Sequence, residues 1–514
     1  MGFPPLGILM LTSVLKRAGH TVHLYDTAHP SHQEADIVRA VEAHRPDLVG
    51  LSFLSTCAYP QTKSLASAIK ARCPTQRVAA GGVFATMNAV NIIQDCPALD
   101  FVCRGEGEDL ILDLIAKLDT PAQVLGIAWR SPKGRAVLNQ PRTQVADLDS
   151  LPFPDRESLD MEFLESMPLD VPAILSLKRW TTMQTSRGCP YPCVYCDIPS
   201  FNEGKWRDRS PEHVIKEMQL LDEQGYGSCY FTDDHFLLKR KRIEAICKGV
   251  IANKLKMKWG CEGRVDSLAM DEFPIMVQAN CQSLMFGIES GSQRVLDRLK
   301  KEQSLAQIVK ATNAAKDAGI EFVHGFFLIG NPDETEDEIL ETFDFAARLR
   351  IDTFGFNRLC VYRGTPLWHE YVKRGLIDDK EDWSKYFKCS DIDPTVLEGW
   401  QVHNLRKQGF MRLIKYRLQH RPLETLRLLH RFSRYMRLRD IAWVLVKPFL
   451  DVKATRLPEL PARGSKALGK ERITGGSAPP EASMVPRGAK ALRAIEHESV
   501  QAVGAAIAGK DHYE

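Results

Sequence analysis

Helix-like and strand-like segments alternate over most of this 514-residue chain, and this alternation constrains its fold more than any other feature. In the first series, predicted helices lead into short apolar runs that end in Gly-rich or polar turns. Helices between strands act as crossover connections, which produce parallel sheets that bind ligands at the carboxyl ends of their strands. The first series therefore predicts a doubly wound (flavodoxin-like) α/β domain, with strands expected at 20–25, 47–53, 77–80 and 99–103.

A second series of the same kind begins near residue 182. Its helices have recognisable starts, because Ser210 precedes a first-turn proline and Thr335 forms a capping box with Glu338. Six strand–helix units favour a partial (β/α)6 barrel, related to the eight-unit barrel whose chemistry lies at the strand carboxyl ends. Its strands are expected at 182–185, 228–232, 258–261, 283–288, 322–329 and 353–360.

The remaining segments differ from both series in composition. Between residues 405 and 456, fourteen Lys or Arg stand against three acidic residues, with apolar residues at helical spacing. Such a basic helical region is either a solvated cap or a surface for lipid headgroups or an anionic substrate. We predict, in chain order, a doubly wound domain at 1–123, a linker with a small hairpin at 124–174, a barrel at 175–390, basic helices at 391–456 and a disordered tail at 457–514.

Charge and apolar patterning exclude several classes of protein. The formal net charge of +3 is too nearly balanced for nucleic acid to be the expected partner. No charge-free run is long enough for a membrane-spanning helix, and the first residues lack the features of a signal peptide. We therefore expect a cytoplasmic protein, with peripheral membrane contact as an option through the basic helices. Thirteen cysteines in such a chain indicate thiols or metal ligands rather than a disulfide framework.

Three of these cysteines form one short string directly after a predicted strand. Cys189, Cys193 and Cys196 have the spacing C-x3-C-x2-C, so three soft ligands lie on one loop. Three thiolates can hold three irons of a [4Fe–4S] cluster and leave the fourth iron open. Structural zinc is the alternative, but it normally takes four ligands, and His213 and Asp197 are poor candidates for the fourth.

Further motifs follow the successive barrel strands in the order of a known family. With Tyr195 beside the last cysteine, they resemble the radical S-adenosylmethionine (radical SAM) superfamily, and in detail its cobalamin-binding subgroup. The resemblance extends over about residues 5–450. The strings are Asp233-Asp234, Arg264-Val-Asp266, Glu289-Ser290-Gly291, Gly330-Asn-Pro and Arg363-Gly-Thr-Pro.

This resemblance implies roles for the polar residues at the strand ends. The open iron would bind the methionine part of SAM, and reductive cleavage would give a 5′-deoxyadenosyl radical. Asp233 or Asp234 would accept from the methionine ammonium, and Arg264 would pair with its carboxylate. Glu289 and Ser290 would contact the ribose or the methionine part, and the backbone of Tyr195 would lie near adenine. Ordinary strand-end capping or internal ion pairing is the alternative for each of these residues.

The first domain is similar to the cobalamin-binding domain of the same subgroup. The segments that carry this likeness are Pro4-Pro-Leu-Gly7 and Gly105-Glu-Gly-Glu108. A doubly wound domain that has lost its cofactor is the alternative. The implied wall of the cobalamin site consists of Ser52, Ser55, Thr56, Gly81 and Gly82.

One departure from the subgroup lies at the start of the chain. A strand normally precedes the Pro-Pro-Leu-Gly helix, and in a 2-1-3-4-5 sheet it would be central. Its absence would leave neighbouring backbone groups unpaired, so we expect the true start to lie upstream.

The predicted function is that of a cobalamin-dependent radical SAM methyltransferase acting on an unactivated carbon. A radical SAM cyclase or rearrangement enzyme that uses the same cofactors without methyl transfer is the main alternative. A zinc-clamped binding module for an anionic partner is a non-redox alternative. The expected partners are a small-molecule or lipid-like substrate and an electron donor such as flavodoxin or ferredoxin.

Overall fold

The computed structural model describes residues 4–55, 58–166, 179–266, 268–380, 383 and 399–433. These residues form two sheets of mainly parallel strands, a two-stranded ribbon and a pair of helices after the second sheet. The predicted tail at 457–514 and residues 391–398 and 434–456 of the predicted basic region lie outside the described residues.

The first sheet has five strands that lie side by side in chain order. Its first three strands are parallel, and the last two form an antiparallel hairpin on the third. The hairpin predicted within the linker therefore extends the first sheet. The strands are β1 (Val49–Ser52), β2 (Val78–Gly81), β3 (Phe101–Cys103), β4 (Ile127–Arg130) and β5 (Ala136–Leu138).

Helices cover this sheet because each places an apolar stripe on its strands. Leu65 and Ile69 of one helix and Ile92 and Ile93 of another are buried in a single core with β1 and β2. The helices are α1 (Leu6–Arg17), α2 (Glu34–His44), α3 (Tyr59–Arg72), α4 (Val83–Met87), α5 (Ala89–Asp95) and α6 (Glu108–Ala116).

The strand predicted at 20–25 is wrong. The structure assigns no strand there, and β1 is the end strand of the sheet. A strand is stabilised by pairing and by side-chain packing, and neither is visible in an alternating apolar pattern alone. Among the described residues no strand lies beside β1 on its outer side to pair with this segment.

The second sheet confirms the predicted open barrel. Six strands lie in the order β13-β12-β11-β10-β9-β6, and every neighbouring pair is parallel, so their carboxyl ends meet at one edge. A separate antiparallel ribbon, β7 with β8, lies between the first and second barrel strands in sequence. The strands are β6 (Trp180–Met183), β7 (Ser186–Arg187), β8 (Arg207–Asp208), β9 (Ser228–Phe231), β10 (Lys258–Gly263), β11 (Cys281–Glu289), β12 (Phe322–Ile329) and β13 (Thr353–Arg358).

Two barrel helices begin where the sequence predicts. The Ser210 side chain accepts a hydrogen bond from the His213 backbone, and Thr335 and Glu338 form the predicted capping box. These bonds satisfy backbone donors that have no partner within the helix. The helices are α7 (Met161–Ser166), α8 (Ile198–Phe201), α9 (Pro211–Glu223), α10 (Arg240–Ala252), α11 (Phe273–Gln278), α12 (Gln293–Arg298), α13 (Leu305–Asp317), α14 (Glu336–Arg348) and α15 (Pro366–Lys373).

Two further helices follow, α16 (Gly399–His420), which packs along α14, and α17 (Pro422–Phe432), which contacts the amino end of β12. Phe410 packs against Phe343 and Phe356 of the barrel core. Arg417 donates to the carbonyls of Leu349 and Ile351 at 3.1 and 2.8 Å. Part of the positive charge of this region is therefore used to hold α16 on the turn before β13. Among the described residues, no helix is long and apolar enough to cross a membrane.

A buried ion cluster joins the segment before the barrel to its first helix. Glu217 of α9 is fully buried, and its carboxylate lies 2.8 Å from Arg156 and 2.5 Å from Arg209. Arg156 also donates to the Thr181 hydroxyl and the Thr182 carbonyl of β6, at 2.9 and 2.6 Å. Burial raises the pKa of Glu217, but the two guanidinium groups outweigh it and hold that pKa below its usual value.

We expect Glu217→Gln to lower the free energy of unfolding by about 3–5 kcal/mol, because it leaves two buried arginines without a charged partner. Glu212→Gln on the same helix is the control, since Glu212 is exposed and surface changes usually stay within about 0.5 kcal/mol. Guanidinium unfolding of the two variants measures the difference. Equal midpoints for the two variants would contradict the structural role assigned to this cluster.

Candidate functional site

One cavity of about 660 Å³ lies between the carboxyl ends of the first sheet and those of the barrel. Its volume is within the usual range for sites of small molecules and cofactors. Both halves of the chain contribute wall residues, so the predicted cobalamin wall and the predicted cysteine loop face one space. The predicted site residues on its wall are Ser52, Ser55, Gly81, Gly82, Cys189, Cys193, Tyr195, Cys196, Asp234, Arg264 and Glu289.

The cysteine loop starts at a tight backbone approach after β7. Gly188 has φ +89°, and a Cβ there would lie 2.0 Å from the Lys205 carbonyl oxygen, so the loop requires glycine. The Gly188 backbone donates to Asp234 at 2.8 Å, and the Val194 backbone donates to the Leu299 carbonyl at 3.1 Å. These bonds hold the loop at the mouth of the barrel.

The three thiols lie on the wall of the cavity, and they are not grouped as in a formed metal site. Burial raises the pKa of the Cys189 and Cys196 thiols, and neighbouring acidic groups add to the effect. Within the part of the chain that the structure describes, no three His, Cys, Asp or Glu side chains already have the mutual spacing of a metal site. The ligand role of the three cysteines therefore stays a prediction, and their common exposure to one cavity is compatible with it.

The two adjacent aspartates have different surroundings. Asp233 is fully buried and accepts hydrogen bonds from the Thr185 backbone, the Thr185 hydroxyl and the Ser186 hydroxyl, at 2.6, 2.5 and 2.6 Å. Its two oxygens are thus used to fix the start of the cysteine loop, and it does not reach the cavity. Asp234 does reach the cavity wall.

Ser290 differs from its neighbour Glu289 in the same way. Its hydroxyl is fully buried 3.1 Å from the Thr342 hydroxyl and accepts from the Ser292 backbone. It therefore connects the end of β11 to α14 and does not reach the cavity. The sequence could not predict that Ser290 points away from the cavity. Neighbouring residues at a strand end point to opposite sides, and a shift of one residue exchanges them.

Glu289 forms a buried ion pair that sequence reasoning missed. Its Oε1 lies 2.7 Å from Lys301 Nζ, which is also 3.5 Å from the Tyr195 hydroxyl. Glu289 has φ +67°, at a register shift between β11 and β12 that turns its side chain toward the cavity. A Cβ on Gly287 would lie 2.8 Å from the Glu289 carboxylate and 3.0 Å from Lys301 Nζ, so glycine leaves room for the pair.

Arg264 lies directly beside the cysteine loop. Its Nη2 is 2.8 Å from Asp266, and its Nη1 is 3.6 Å from the Cys193 sulfur. The guanidinium also stacks over the Tyr191 ring, 3.6 Å from its centre. Burial lowers the pKa of Arg264, but Asp266 outweighs it, so that pKa is raised and the side chain stays charged.

The first sheet presents a wall of small residues to the same cavity. Gly81 is the last residue of β2 and Gly82 follows it, and the backbone of Phe53 donates to the Gly81 carbonyl at 3.0 Å. A Cβ on Gly50 of β1 or on Gly105 after β3 would meet no atom within 4 Å, so these two glycines border open space. Such a shelf fits a large flat ring. Thr56, also predicted for this wall, lies outside the described residues.

The turn after β3 connects this wall to the cysteine loop. Glu106 in this turn contacts Arg187 of β7 and Arg207 of β8, and Glu108 contacts Arg187. The Gly105–Glu108 turn was noted from the sequence, but nothing in the sequence indicated that Arg187 and Arg207 contact it.

Comparison with known proteins gives both halves of the chain a family. Residues 2–115 match the model of the B12 binding domain, and residues 183–346 match that of the radical SAM superfamily. An uncharacterized methyltransferase of Pyrococcus horikoshii is 31% identical over 398 residues, which cover 76% of this chain and 83% of that protein. An anaerobic magnesium-protoporphyrin IX monomethyl ester cyclase of Rubrivivax gelatinosus is 28% identical, with 67% and 62% covered.

Solved structures show the same fold. The cobalamin-dependent radical SAM enzyme OxsB, with aqua-cobalamin and SAM bound, superposes with a TM-score of 0.65 at 19% identity, over 84% of this chain and 68% of that chain. The radical SAM methyltransferase TsrM from Kitasatospora setae superposes with a TM-score of 0.60 at 16% identity, over 73% and 74%. The two family models and the Pyrococcus relative show that the chain belongs to the cobalamin-binding radical SAM enzymes, whose cofactors are a [4Fe–4S] cluster, SAM and cobalamin.

Proposed function

We propose that this chain is a methyltransferase that acts on an unactivated carbon of a small or lipid-like molecule. The observation that carries the proposal is the single cavity lined both by the three cysteines and by the small-residue wall of the first sheet. This arrangement brings a site for hydrogen abstraction and a methyl donor to the same substrate. Several relatives are named for methyl transfer, including a hopanoid C-3 methylase of Methylococcus capsulatus that is 25% identical over 76% of this chain.

The residues on the cavity wall have distinct tasks in this proposal. When bound, the cluster with SAM supplies hydrogen abstraction, and cobalamin supplies the methyl group. Cys189, Cys193 and Cys196 hold three irons. Asp234 accepts from the methionine ammonium, and Arg264, kept charged by Asp266, pairs with the methionine carboxylate.

The remaining predicted residues either contact SAM or cobalamin or position the residues that do. Glu289, with Lys301 beside it, contacts the ribose or the methionine part, and the Tyr195 backbone lies near adenine. Asp233 and Ser290 act indirectly, because their hydrogen bonds fix the loop and the strand end that carry the binding groups. Ser52, Ser55, Gly81 and Gly82 form the wall for cobalamin.

The barrel part of the cavity gives the character of the substrate site. Met285, Phe326 and Leu328 contribute apolar surface. Tyr230 donates to Glu262 at 2.8 Å, and both of these polar side chains also lie on the wall. A mostly apolar molecule with one polar group fits such a wall. We also propose a one-electron donor protein such as flavodoxin or ferredoxin as partner, because reductive cleavage of SAM consumes one electron.

The second candidate is an oxidative cyclase or rearrangement enzyme with the same cofactors. The observation that favours it is the similarity to the Rubrivivax cyclase, which is 28% identical over 357 residues. The two candidates differ in the fate of the methyl group of SAM.

We expect the anaerobically reconstituted chain to form both 5′-deoxyadenosine and S-adenosylhomocysteine with an extract of cells that lack the gene. With methyl-deuterated SAM, mass spectrometry should find a metabolite that has gained a deuterated methyl group. Formation of 5′-deoxyadenosine without S-adenosylhomocysteine would instead support the cyclase.

We expect Cys193→Ala to abolish both cluster assembly and SAM cleavage, because two thiolates do not replace three. Cys281→Ala is the matched control, since Cys281 is a buried core residue at the start of β11. Iron and sulfide analysis, with absorbance spectra of oxygen-free protein, measures assembly. If Cys193→Ala retained cluster and cleavage, the assignment of the loop would be wrong.

We also propose peripheral contact with lipid through α16 and α17. Met411, Leu418, Leu423 and Leu426 are 57–67% exposed on these helices, close to basic side chains that attract anionic headgroups.

We expect the full chain to bind anionic liposomes at low salt. The double variant Leu423→Ser/Leu426→Ser should bind them several-fold more weakly, because buried apolar area sets much of the affinity. Ile251→Ser, an exposed apolar residue on α10, is the control. Absence of binding in a flotation assay would remove lipid contact from the proposal.

A further inference from the structure

We propose that Glu106 is a positioning residue that couples the cobalamin site to the cysteine loop, so that occupation of one site strengthens the other. The inference rests on the cofactor sites of the proposed function. It does not depend on which reaction follows, because coupling between two binding sites is a property of the protein alone.

The argument begins in the ribbon that leads into the cysteine loop. Arg187 of β7 and Arg207 of β8 are register partners in this antiparallel pair. Side chains of directly opposite residues lie on one face of a ribbon within about 5.5 Å at Cβ, and like charges there repel. The ribbon therefore needs a negative partner between the two guanidinium groups.

Glu106 supplies that partner from the other domain. Its Oε1 accepts from Arg187 and Arg207, both at 2.8 Å. Its Oε2 accepts from Arg207 at 2.9 Å and from the Val145 backbone at 2.7 Å. Glu108 adds a contact of 2.5 Å to Arg187. The Glu106 side chain is only 6% exposed, and those of the arginines 13% and 12%, so solvent screens these charges weakly.

Both ends of this bridge lie at a cofactor site. Arg187 is two residues before Cys189. Asp233 fixes the residues just before Arg187, Thr185 and Ser186, and Asp234 accepts from the Gly188 backbone between Arg187 and Cys189. Glu106 lies between Gly105 and Gly107 in the turn after β3, and all three residues line the cavity beside Gly81 and Gly82. A molecule that rests on this turn restrains Glu106, and Glu106 restrains the ribbon.

Two consequences follow from thermodynamic linkage. If order in the turn favours order in the loop, cobalamin must stabilise the cluster loop, and the cluster must strengthen cobalamin binding by the same factor. Replacement of the carboxylate by an amide removes the charge between the arginines but keeps the shape of the side chain.

Hydroxocobalamin binding to the full chain tests the proposal, with Kd measured by absorbance for protein with and without the anaerobically reconstituted cluster. The wild-type chain should bind at least about 5-fold more tightly with the cluster present, the lower range of typical coupling. In Glu106→Gln the ratio of the two Kd values should approach one. Asp113→Asn is the matched control, because Asp113 of α6 also pairs with two cations, Lys117 and Arg142, away from the cavity, and it should keep the wild-type ratio.

The ratio distinguishes positioning from general destabilisation. A merely structural role would weaken both Kd values by the same factor and leave their ratio unchanged, which would overturn the proposal, as would a wild-type ratio of one. If Glu106→Gln does not fold, Arg207→Gln replaces it under the same criterion, since it removes one of the two opposed charges. The readout is binding, so a chain that shows the ratio but transfers no methyl group would refute the proposed function alone.

Discussion

The buried ion network between the turn after β3 and the β7–β8 ribbon is the interaction on which the rest of the site depends. Two arginines stand opposite each other in the ribbon, and the Glu106 carboxylate from the other domain lies between them. Residues at the carboxyl ends of both sheets line the cavity, and the network lies between these two edges. The network therefore joins the turn beside the small-residue wall to the ribbon that leads into the cysteine loop.

The polar residues around the cavity divide into those that face it and those that hold its wall. Asp234, Arg264 and Glu289 face the cavity, whereas the buried Asp233 and Ser290 bind the backbone or neighbouring elements. The cavity is therefore open to a ligand, whereas the loop and the strand end that border it are held by internal hydrogen bonds. The side chains that face the cavity are carried by a loop and a strand end that internal hydrogen bonds fix in place.

Much of this architecture follows from local patterns in the sequence. The six barrel strands, the helix caps at Ser210 and Thr335 and the cysteine loop were all predictable, because apolar periodicity and capping chemistry act over a few residues. The strand predicted at 20–25 failed because pairing depends on a neighbour that no local pattern reveals. Lys301 and Arg207 were missed for a similar reason. Glu289 and Glu106 come close to them only in the folded chain, and a charged residue in a loop or a ribbon does not indicate which distant residue it will contact.

The central claim is that one cavity holds both metal centres, and electron paramagnetic resonance tests it most directly. The measurement uses oxygen-free full-length protein that carries the reduced cluster and cob(II)alamin, both of which are paramagnetic. If the two centres share the cavity, each spectrum should be broadened or split by the other and should sharpen when either centre is made diamagnetic. A spectrum equal to the sum of the two isolated centres would contradict the account.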